Sequence, residues 1–404
     1  MAPAIFALAL IGIFAYLILH FEKVVHPGRT AVIAACCIIA AFAIRAVCMQ
    51  HETLDYLNFL TKWVSYFAEN GGFAALNKNI GNYNVPYLYF LAAFSMSSIR
   101  DLYLIKLLSV FFDVILAWGV MRLVHHFTQS RAKVLASFII TLLLPTVILN
   151  GALWGQCDSI YVAFLVWSIY FALRSRGVAS MAFAAIAFSF KLQAVFIFPV
   201  FFLFLLAHKI KWYHLPVFPI TYIIMVAPAV LLGRPFIETL TLYFSQAGTV
   251  GSGLNYNSPS VFAFVRSAVN EPMLSKLGIA AAFAFIVICY AVCISKRLYD
   301  DRSLFVCTVL FAVAVPFLLP HMHDRYFFAS DIFTLVSAFV VTAFIPLPLL
   351  ASFASLLGYH AYLKMRYLLP MRYGSWALII VIIALFSMLL AVPKNSVKKM
   401  QKKC

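Results

Sequence analysis

The sequence predicts an all-α membrane protein, a polytopic bundle of about 13 transmembrane helices. Three observations predict it: 65% of the 404 residues are hydrophobic, only 11% are charged, and the mean hydropathy is +0.98. Soluble chains are close to half apolar and a quarter charged, so the excess apolar surface must face lipid. This composition excludes a disordered chain, a secreted protein and a soluble enzyme.

The apolar stretches are long enough to cross about 30 Å of hydrocarbon as helices. The first, Pro3 to Phe21, has no preceding basic residue and no small-residue cleavage pattern, so we expect a retained helix rather than a signal peptide. The predicted spans are 4–21, 30–49, 104–122, 133–150, 158–173, 179–190, 192–207, 213–232, 277–295, 303–319, 329–346, 347–362 and 374–392.

The 30 basic and 13 acidic residues give a net charge of +17, and the positions of Lys and Arg orient the chain. Seventeen basic residues fall in six short segments that we place in the cytoplasm: 22–29, 122–133, 174–178, 208–212, 296–302 and 393–404. The N-terminus is then outside, and the basic C-terminal tail 393–404 lies at anionic lipid inside.

Two long segments, 50–103 and 233–276, fall on the outer side, where we expect function. The first contains the apolar run Pro86 to Phe94, which is too short to span and predicts an interfacial helix. Almost all of the eight cysteines lie in apolar stretches, so neither a disulfide framework nor a zinc site is indicated.

The first polar cluster opens the segment 50–103 and contains Glu52, Asp55 and Tyr56. If the chain after Thr53 is helical, Glu52 and Asp55 lie one turn apart. A carboxylate held there can deprotonate an acceptor hydroxyl. The alternative is a surface carboxylate that caps or solvates the start of a helix.

The second cluster runs from Asn150 to Ser159, between two apolar stretches. Its Trp154, Gln156 and Asp158 combine an aromatic platform with hydrogen-bonding groups, as the lining of a sugar site does. An interfacial tryptophan beside a helix cap explains the same residues equally well.

The third feature is Lys191, which stands between apolar residues. An ammonium there is costly, which favours a functional role with a lipid phosphate as partner. Snorkelling of the side chain to the outer interface is the alternative.

The fourth cluster follows Pro320 and contains His321, His323, Asp324 and Arg325. Arg325 can bind a phosphate through two parallel hydrogen bonds. The two histidines and Asp324 could instead bind a metal, although the His-x-His spacing alone indicates this only weakly.

In this order, the clusters resemble the GT-C superfamily of membrane glycosyltransferases, which use polyprenyl-phosphate sugars. Among the branches of this superfamily, the clusters most resemble the bacterial proteins related to the GPI mannosyltransferases. The elements that carry the resemblance are Asp55-Tyr56 with Trp63, Tyr83 to Tyr89, Trp154 to Ser159, Lys191 and Gln193 with Pro199, and Met322 to Tyr326. Asp324 replaces the glutamate of the family pattern, and Val85 replaces one proline of its Pro-Pro pair.

The resemblance implies an inverting hexosyltransferase with a GT-C bundle. Asp55 would be the general base, and Arg325, His323 and Lys191 would bind the donor phosphate. The residues expected to line the sugar or acceptor are Glu52, Tyr56, Trp154, Gln156, Asp158, Tyr87, Asn257 and Tyr326. Support of Asp55 is the alternative role for Trp154, Gln156 and Asp158. The branch of the family favours mannose, transferred to an extracytoplasmic glycan, lipid or protein at the outer face of a bacterial plasma membrane.

No Gly-rich phosphate loop is present, which agrees with a lipid-linked rather than a nucleotide-linked donor, and we expect no nucleic-acid partner. No metal ligands are assigned, while a requirement for a divalent metal stays open. The partners expected are the donor, the acceptor and membrane lipids.

The competing interpretation is a transporter or flippase of a lipid-linked sugar, which would use the intramembrane charges Asp113 and Lys191. Polar clusters on one side of the membrane and the lack of visible repeats argue against it. A glycan polymerase or ligase would carry paired arginines in an outer loop, whereas Arg234 and Arg266 are far apart. An inactive carrier-binding module is disfavoured by the intact Asp55.

The expected organisation has four parts. Residues 1–29 form an extra N-terminal helix and a basic loop, and 30–232 form the catalytic module with its outer loop 50–103. Residues 233–392 form a variable transmembrane module that carries the His-x-Arg-Tyr element, and 393–404 form the basic tail.

Overall fold

The computed structural model describes residues 1–243, 253–265 and 270–392. Most of these residues are helical, and within these three ranges the only strands are Asn255–Tyr256 and Met322–His323. The predicted all-α class is therefore confirmed. Arg266 and the basic tail 393–404 lie outside the described residues.

Eight helices in the described part of the chain are long and apolar enough to cross a membrane. They are Ala2–Phe21, Arg29–Cys48, Asp101–Phe127, Trp212–Leu231, Glu271–Lys296, Asp301–Leu318, Thr342–Leu363 and Arg372–Ala391. A ninth span is formed if Arg131–Leu143 and Pro145–Trp154, which meet at a 43° bend, are counted as one. The chain thus has the helices of a polytopic membrane protein.

The other predicted spans fall on shorter helices. Segment 158–173 is a 16-residue helix, 179–190 lies in the 14-residue helix Gly177–Phe190, and 329–346 overlaps the 13-residue helix Phe328–Val340. Segment 192–207 is divided between a 3₁₀ turn, Leu192–Phe196, and the helix Pro199–Leu206.

The chain divides into two compact units. The first comprises Met1–Tyr170, Val178–Ala194 and Tyr213–Thr249, and the second comprises Phe171–Gly177, Val195–Trp212 and Val250–Cys404. The remaining short helices of the first unit are Tyr56–Leu60, Thr61–Glu69, Gly72–Asn77, Val85–Phe94, Pro145–Ile148, Leu149–Trp154 and Phe236–Leu240. In the second unit, the turn Val261–Phe264 precedes the long helices.

A buried ion pair joins two spanning helices of the first unit. Nε and Nη2 of Arg45 donate to Oδ2 of Asp113 over 3.1 and 2.9 Å, and Ser159 donates to Oδ1 over 2.5 Å. Nη1 of Arg45 donates to the carbonyl oxygen of Leu142 over 2.8 Å. Both charged side chains are fully buried, so the two intramembrane charges are neutralised by each other.

The second unit is built around Asp301–Leu318, the most buried of the spanning helices, which packs against Glu271–Lys296, Phe328–Val340 and Arg372–Ala391. Asp300 begins this helix because its Oδ1 accepts from the backbone N–H groups of Arg302 and Ser303.

Candidate active site

Asp55 lies in the first unit, at the start of the helix that follows Thr53, and is half-buried. Its Oδ2 accepts hydrogen bonds from Nε1 of Trp154 over 2.9 Å and from Nε2 of Gln156 over 2.6 Å. Two N–H groups from one short segment thus converge on a single carboxylate oxygen and hold the carboxylate in a defined orientation.

Two π-helical turns position the side chains of Asp55 and Trp154. One, Tyr56–Leu60, follows Asp55, and the other, Leu149–Trp154, ends at the tryptophan. Gly155 then adopts the left-handed conformation, with φ of +79°, which turns the chain so that both Trp154 and Gln156 reach Asp55. Turns of this type occur frequently at functional sites.

Trp154 and Gln156 support Asp55 rather than forming an exposed lining. The Trp154 side chain is fully buried, and its carbonyl oxygen accepts from the hydroxyl of Thr53 over 3.1 Å. Gln156 is buried as well, and its Oε1 accepts from the hydroxyl of Tyr83 over 3.2 Å. Of the two roles considered for these residues, the geometry favours support of the carboxylate over direct contact with a sugar.

Lys191 makes a buried ion pair with Asp158, whose other oxygen accepts from Nδ2 of Asn150 over 2.8 Å. The ammonium also lies 5.6 Å from the ring centroid of Tyr83. The protein partner of Lys191 is therefore a carboxylate, and its role toward a lipid phosphate stays a prediction. The pair joins the start of the helix Asp158–Leu173 to the residue that follows the helix Gly177–Phe190.

The remaining predicted lining residues of the first unit lie in different settings. Glu52 is exposed and pairs with Arg100. The hydroxyl of Tyr56 donates to Oδ1 of Asp101 over 2.8 Å, and burial, together with this hydrogen bond, raises the pKa of the phenol. Tyr87 is buried, and its ring centroid lies 4.8 Å from that of Tyr83. Glu52 thus contributes to the surface, while the two tyrosines contribute to packing.

The fourth cluster lies in the second unit and is joined to residues 255–256 by strand pairing. The two short strands pair in parallel, with Tyr256 opposite His323. Their rings are stacked, with centroids 4.6 Å apart, and Tyr326 lies 5.1 Å from the same imidazole. Nη1 of Arg325 lies 3.9 Å from Oδ1 of Asp324, within ion-pair distance. The structure therefore brings the predicted residues His323 and Tyr326 together.

Asn257 lies beside this cluster. It adopts the left-handed conformation, and its Oδ1 accepts from the hydroxyl of Tyr367 over 2.5 Å. Gly358 permits the arrangement, because a Cβ at that position would lie 2.9 Å from the carbonyl oxygens of both Asn257 and Asp324. A helix glycine thus allows the two segments to approach each other.

Both ring nitrogens of His321 are engaged within the protein. Nδ1 lies 2.8 Å from the carbonyl oxygen of Gly253, and Nε2 lies 3.2 Å from the hydroxyl of Ser275. Across the described ranges, no group of three or more His, Cys, Asp or Glu side chains could hold a metal ion. The cluster is therefore organised by hydrogen bonds and ring contacts.

Sequence reasoning did not include Tyr83 among the site residues, although it named the Tyr83 to Tyr89 element. Tyr83 contacts Gln156, Tyr87 and Lys191, and so links three parts of the site. Its position within a motif that leads into the helix Val85–Phe94 was the available signal.

Comparison with known proteins found no matching family model and no matching curated protein. The interpretation of this site therefore depends on its geometry and chemistry, together with the short motifs quoted above.

Proposed function

We propose that this protein is an inverting membrane glycosyltransferase that moves a hexose from a polyprenyl-phosphate donor to an acceptor hydroxyl, with Asp55 as the general base. One observation carries the proposal: a half-buried carboxylate receives hydrogen bonds from both Trp154 and Gln156. Such an oriented carboxylate is suited to accept a proton from a bound hydroxyl.

In the proposed reaction, Asp55 takes the proton as the acceptor oxygen forms a bond to the anomeric carbon. The bond from that carbon to the phosphate oxygen breaks, and the electron pair leaves with the polyprenyl phosphate. Negative charge grows on this leaving group, so cations that bind it stabilise the transition state. We assign this role to Lys191, which lies in the same unit as Asp55, when it exchanges Asp158 for the phosphate; donor binding by Arg325 and His323 of the second unit stays a prediction.

The GT-C architecture, with about 13 membrane segments, belongs to the same proposal. It is supported by the five motifs and by the short apolar helices that accompany the eight long ones. We further propose that the active site faces the extracytoplasmic side of a bacterial plasma membrane, with a cytoplasmic C-terminus and mannose as the favoured hexose.

The transporter interpretation has less support. Asp113, the residue that best suited it, is held by Arg45 and Ser159 in a fully buried pair. A carboxylate with these partners neutralises a structural charge and is poorly placed to bind a transported cation.

The test is transfer of radiolabelled hexose from synthetic polyprenyl-phosphate mannose, and then glucose, in proteoliposomes that contain the acceptor fraction. We expect Asp55→Asn to lower turnover by about 100-fold or more, because it keeps the shape and removes the base. The matched control is Glu69→Gln, which alters an exposed acid later on the same helical segment and should leave turnover unchanged. Transfer that does not depend on Asp55 would refute the assignment.

A further inference from the structure

Two aromatic side chains on the helical segment after Asp55 reach the surface. Phe59 is exposed, with 51% of its surface accessible, Trp63 is half-buried, and their ring centroids are 6.1 Å apart. In a membrane protein such a pair either faces lipid or forms a binding surface, and its contacts distinguish the two. We call Phe59 and Trp63 the aromatic platform.

Contacts connect the aromatic platform to the proposed base. The indole of Trp63 meets the ring of Tyr83 edge-on, at 5.6 Å between centroids and 68° between planes. Tyr83 donates to Gln156, and Gln156 donates to Asp55. The platform and the carboxylate therefore belong to one continuous set of contacts within the first unit.

The backbone at Gly81 fixes the position of the indole. Gly81 has a φ of +63°, and a Cβ there would lie 2.4 Å from ring atoms of Trp63. Only glycine allows the chain to approach the ring so closely in this conformation. The indole of Trp63 is thus held in one position by its contacts with Gly81 and Tyr83.

Polar side chains accompany the platform. Exposed Lys62 lies about one helical turn from Phe59, and exposed Asn82 lies between Gly81 and Tyr83, the two residues that hold Trp63. A pyranose has an apolar face of C–H groups that stacks on an aromatic ring, and hydroxyls at its rim that bond amide and ammonium groups. An acyl chain would gain nothing from these polar neighbours.

We infer that the aromatic platform binds a pyranose ring of the acceptor glycan, beside the sugar whose hydroxyl Asp55 deprotonates. This inference rests on the proposed function. It assigns the acceptor to the class of saccharides with more than one sugar residue, because one ring occupies the platform while another presents its hydroxyl to Asp55. Exposed Leu54 and Leu57 on the same segment suit contact with lipid, which is the competing role for this surface.

The test is saturation-transfer NMR on the full-length protein in a detergent without a sugar head group. The probes are α-1,6-linked mannotetraose and maltotetraose, without donor. We expect saturation of ring C–H protons by the wild-type protein, a loss of about five-fold or more in Trp63→Ala, and partial recovery in Trp63→Phe. The control is Trp212→Ala, which removes a tryptophan that is 78% exposed and lies in another segment, and it should not change the signal.

Equal saturation in Trp63→Ala and wild type, or none with either tetraose, would overturn the inference. So would quenching of tryptophan fluorescence by lipids with brominated acyl chains that is reduced in Trp63→Phe, since the quenching would then come from Trp63 and place the platform in the bilayer. Asp55→Asn separates the two proposals: it should keep tetraose binding while it loses transfer. Transfer without tetraose binding rejects the platform alone, and tetraose binding without Asp55-dependent transfer rejects the enzyme alone.

Discussion

The side-chain amide of Gln156 donates from Nε2 to Oδ2 of Asp55 over 2.6 Å, although 101 residues separate the two. Its Oε1 accepts from the hydroxyl of Tyr83, so both ends of the amide have defined partners. Its backbone carbonyl also accepts from Ser109 over 2.7 Å. Gln156 is therefore a positioning residue, and its replacement tests how the carboxylate is held.

Gln156→Glu places a second carboxylate against Asp55. Two like charges at this distance repel and turn the carboxylate away from its bound orientation, so we expect kcat to fall by about ten-fold or more. Gln156→Leu removes the donor without adding charge, and should lower kcat by a smaller factor. The value of kcat is measured in the proteoliposome transfer assay, and an unchanged kcat in Gln156→Glu would contradict the role of the contact.

The Arg45–Asp113 pair should matter for stability and not for chemistry. Asp113→Ala leaves the buried guanidinium without its counter-charge, and we expect it to destabilise the protein by about 3–5 kcal/mol. The double variant Arg45→Met/Asp113→Leu removes both charges and should regain most of that loss. Thermal unfolding in detergent measures both effects, and loss of transfer in a stably folded double variant would give the pair a functional role.

Gly358→Ala should disturb the second unit, because the added Cβ meets the backbone oxygens of Asn257 and Asp324 at 2.9 Å. We expect a loss of about 1–3 kcal/mol in unfolding free energy. Gly12→Ala is the matched control, since its Cβ would make an ordinary 3.5 Å contact with Phe42 and gain helix propensity. A melting temperature for Gly358→Ala equal to that of the wild type would show that the close approach is not required.

Arg325→Lys keeps the positive charge and loses the planar fork. If Arg325 binds the donor phosphate, the variant should raise the donor KM or lower kcat by about ten-fold or more. The control is Arg302→Lys, at an exposed arginine in the same unit. Unchanged donor kinetics in Arg325→Lys would remove this residue from the phosphate site.

Hydropathy predicted the long helices well. The segment 277–295, for example, lies within Glu271–Lys296, and 374–392 nearly coincides with Arg372–Ala391. The ends of the shorter helices could not be predicted from hydropathy, because tertiary contacts determine them. The helix Gly177–Phe190, for example, ends just before Lys191. The side chain of Lys191 binds Asp158, which lies 33 residues earlier in the sequence.

The residues of the candidate site were easier to name from the sequence than their contacts. The motif around Trp154 indicated an aromatic lining or a helix cap, and the resemblance added support of Asp55, but none of these specified that the indole nitrogen itself donates to the carboxylate. The π-helical turns that allow this contact leave no recognisable pattern in composition or periodicity. Tyr83 was missed because a tyrosine in an aromatic-rich segment is common in membrane proteins.

The π-helical turn Tyr56–Leu60 contains one residue more than the α-helical path that it replaces. Because the turn absorbs this extra residue within itself, the helix faces on either side of it keep the register of a regular α-helix. A related chain with a one-residue gap between positions 56 and 60 would therefore form regular α-helix here and keep Asp55 and Trp63 on the same faces. A one-residue gap between Thr61 and Trp63 would instead rotate the indole by about 100° relative to Asp55 and would rearrange the site.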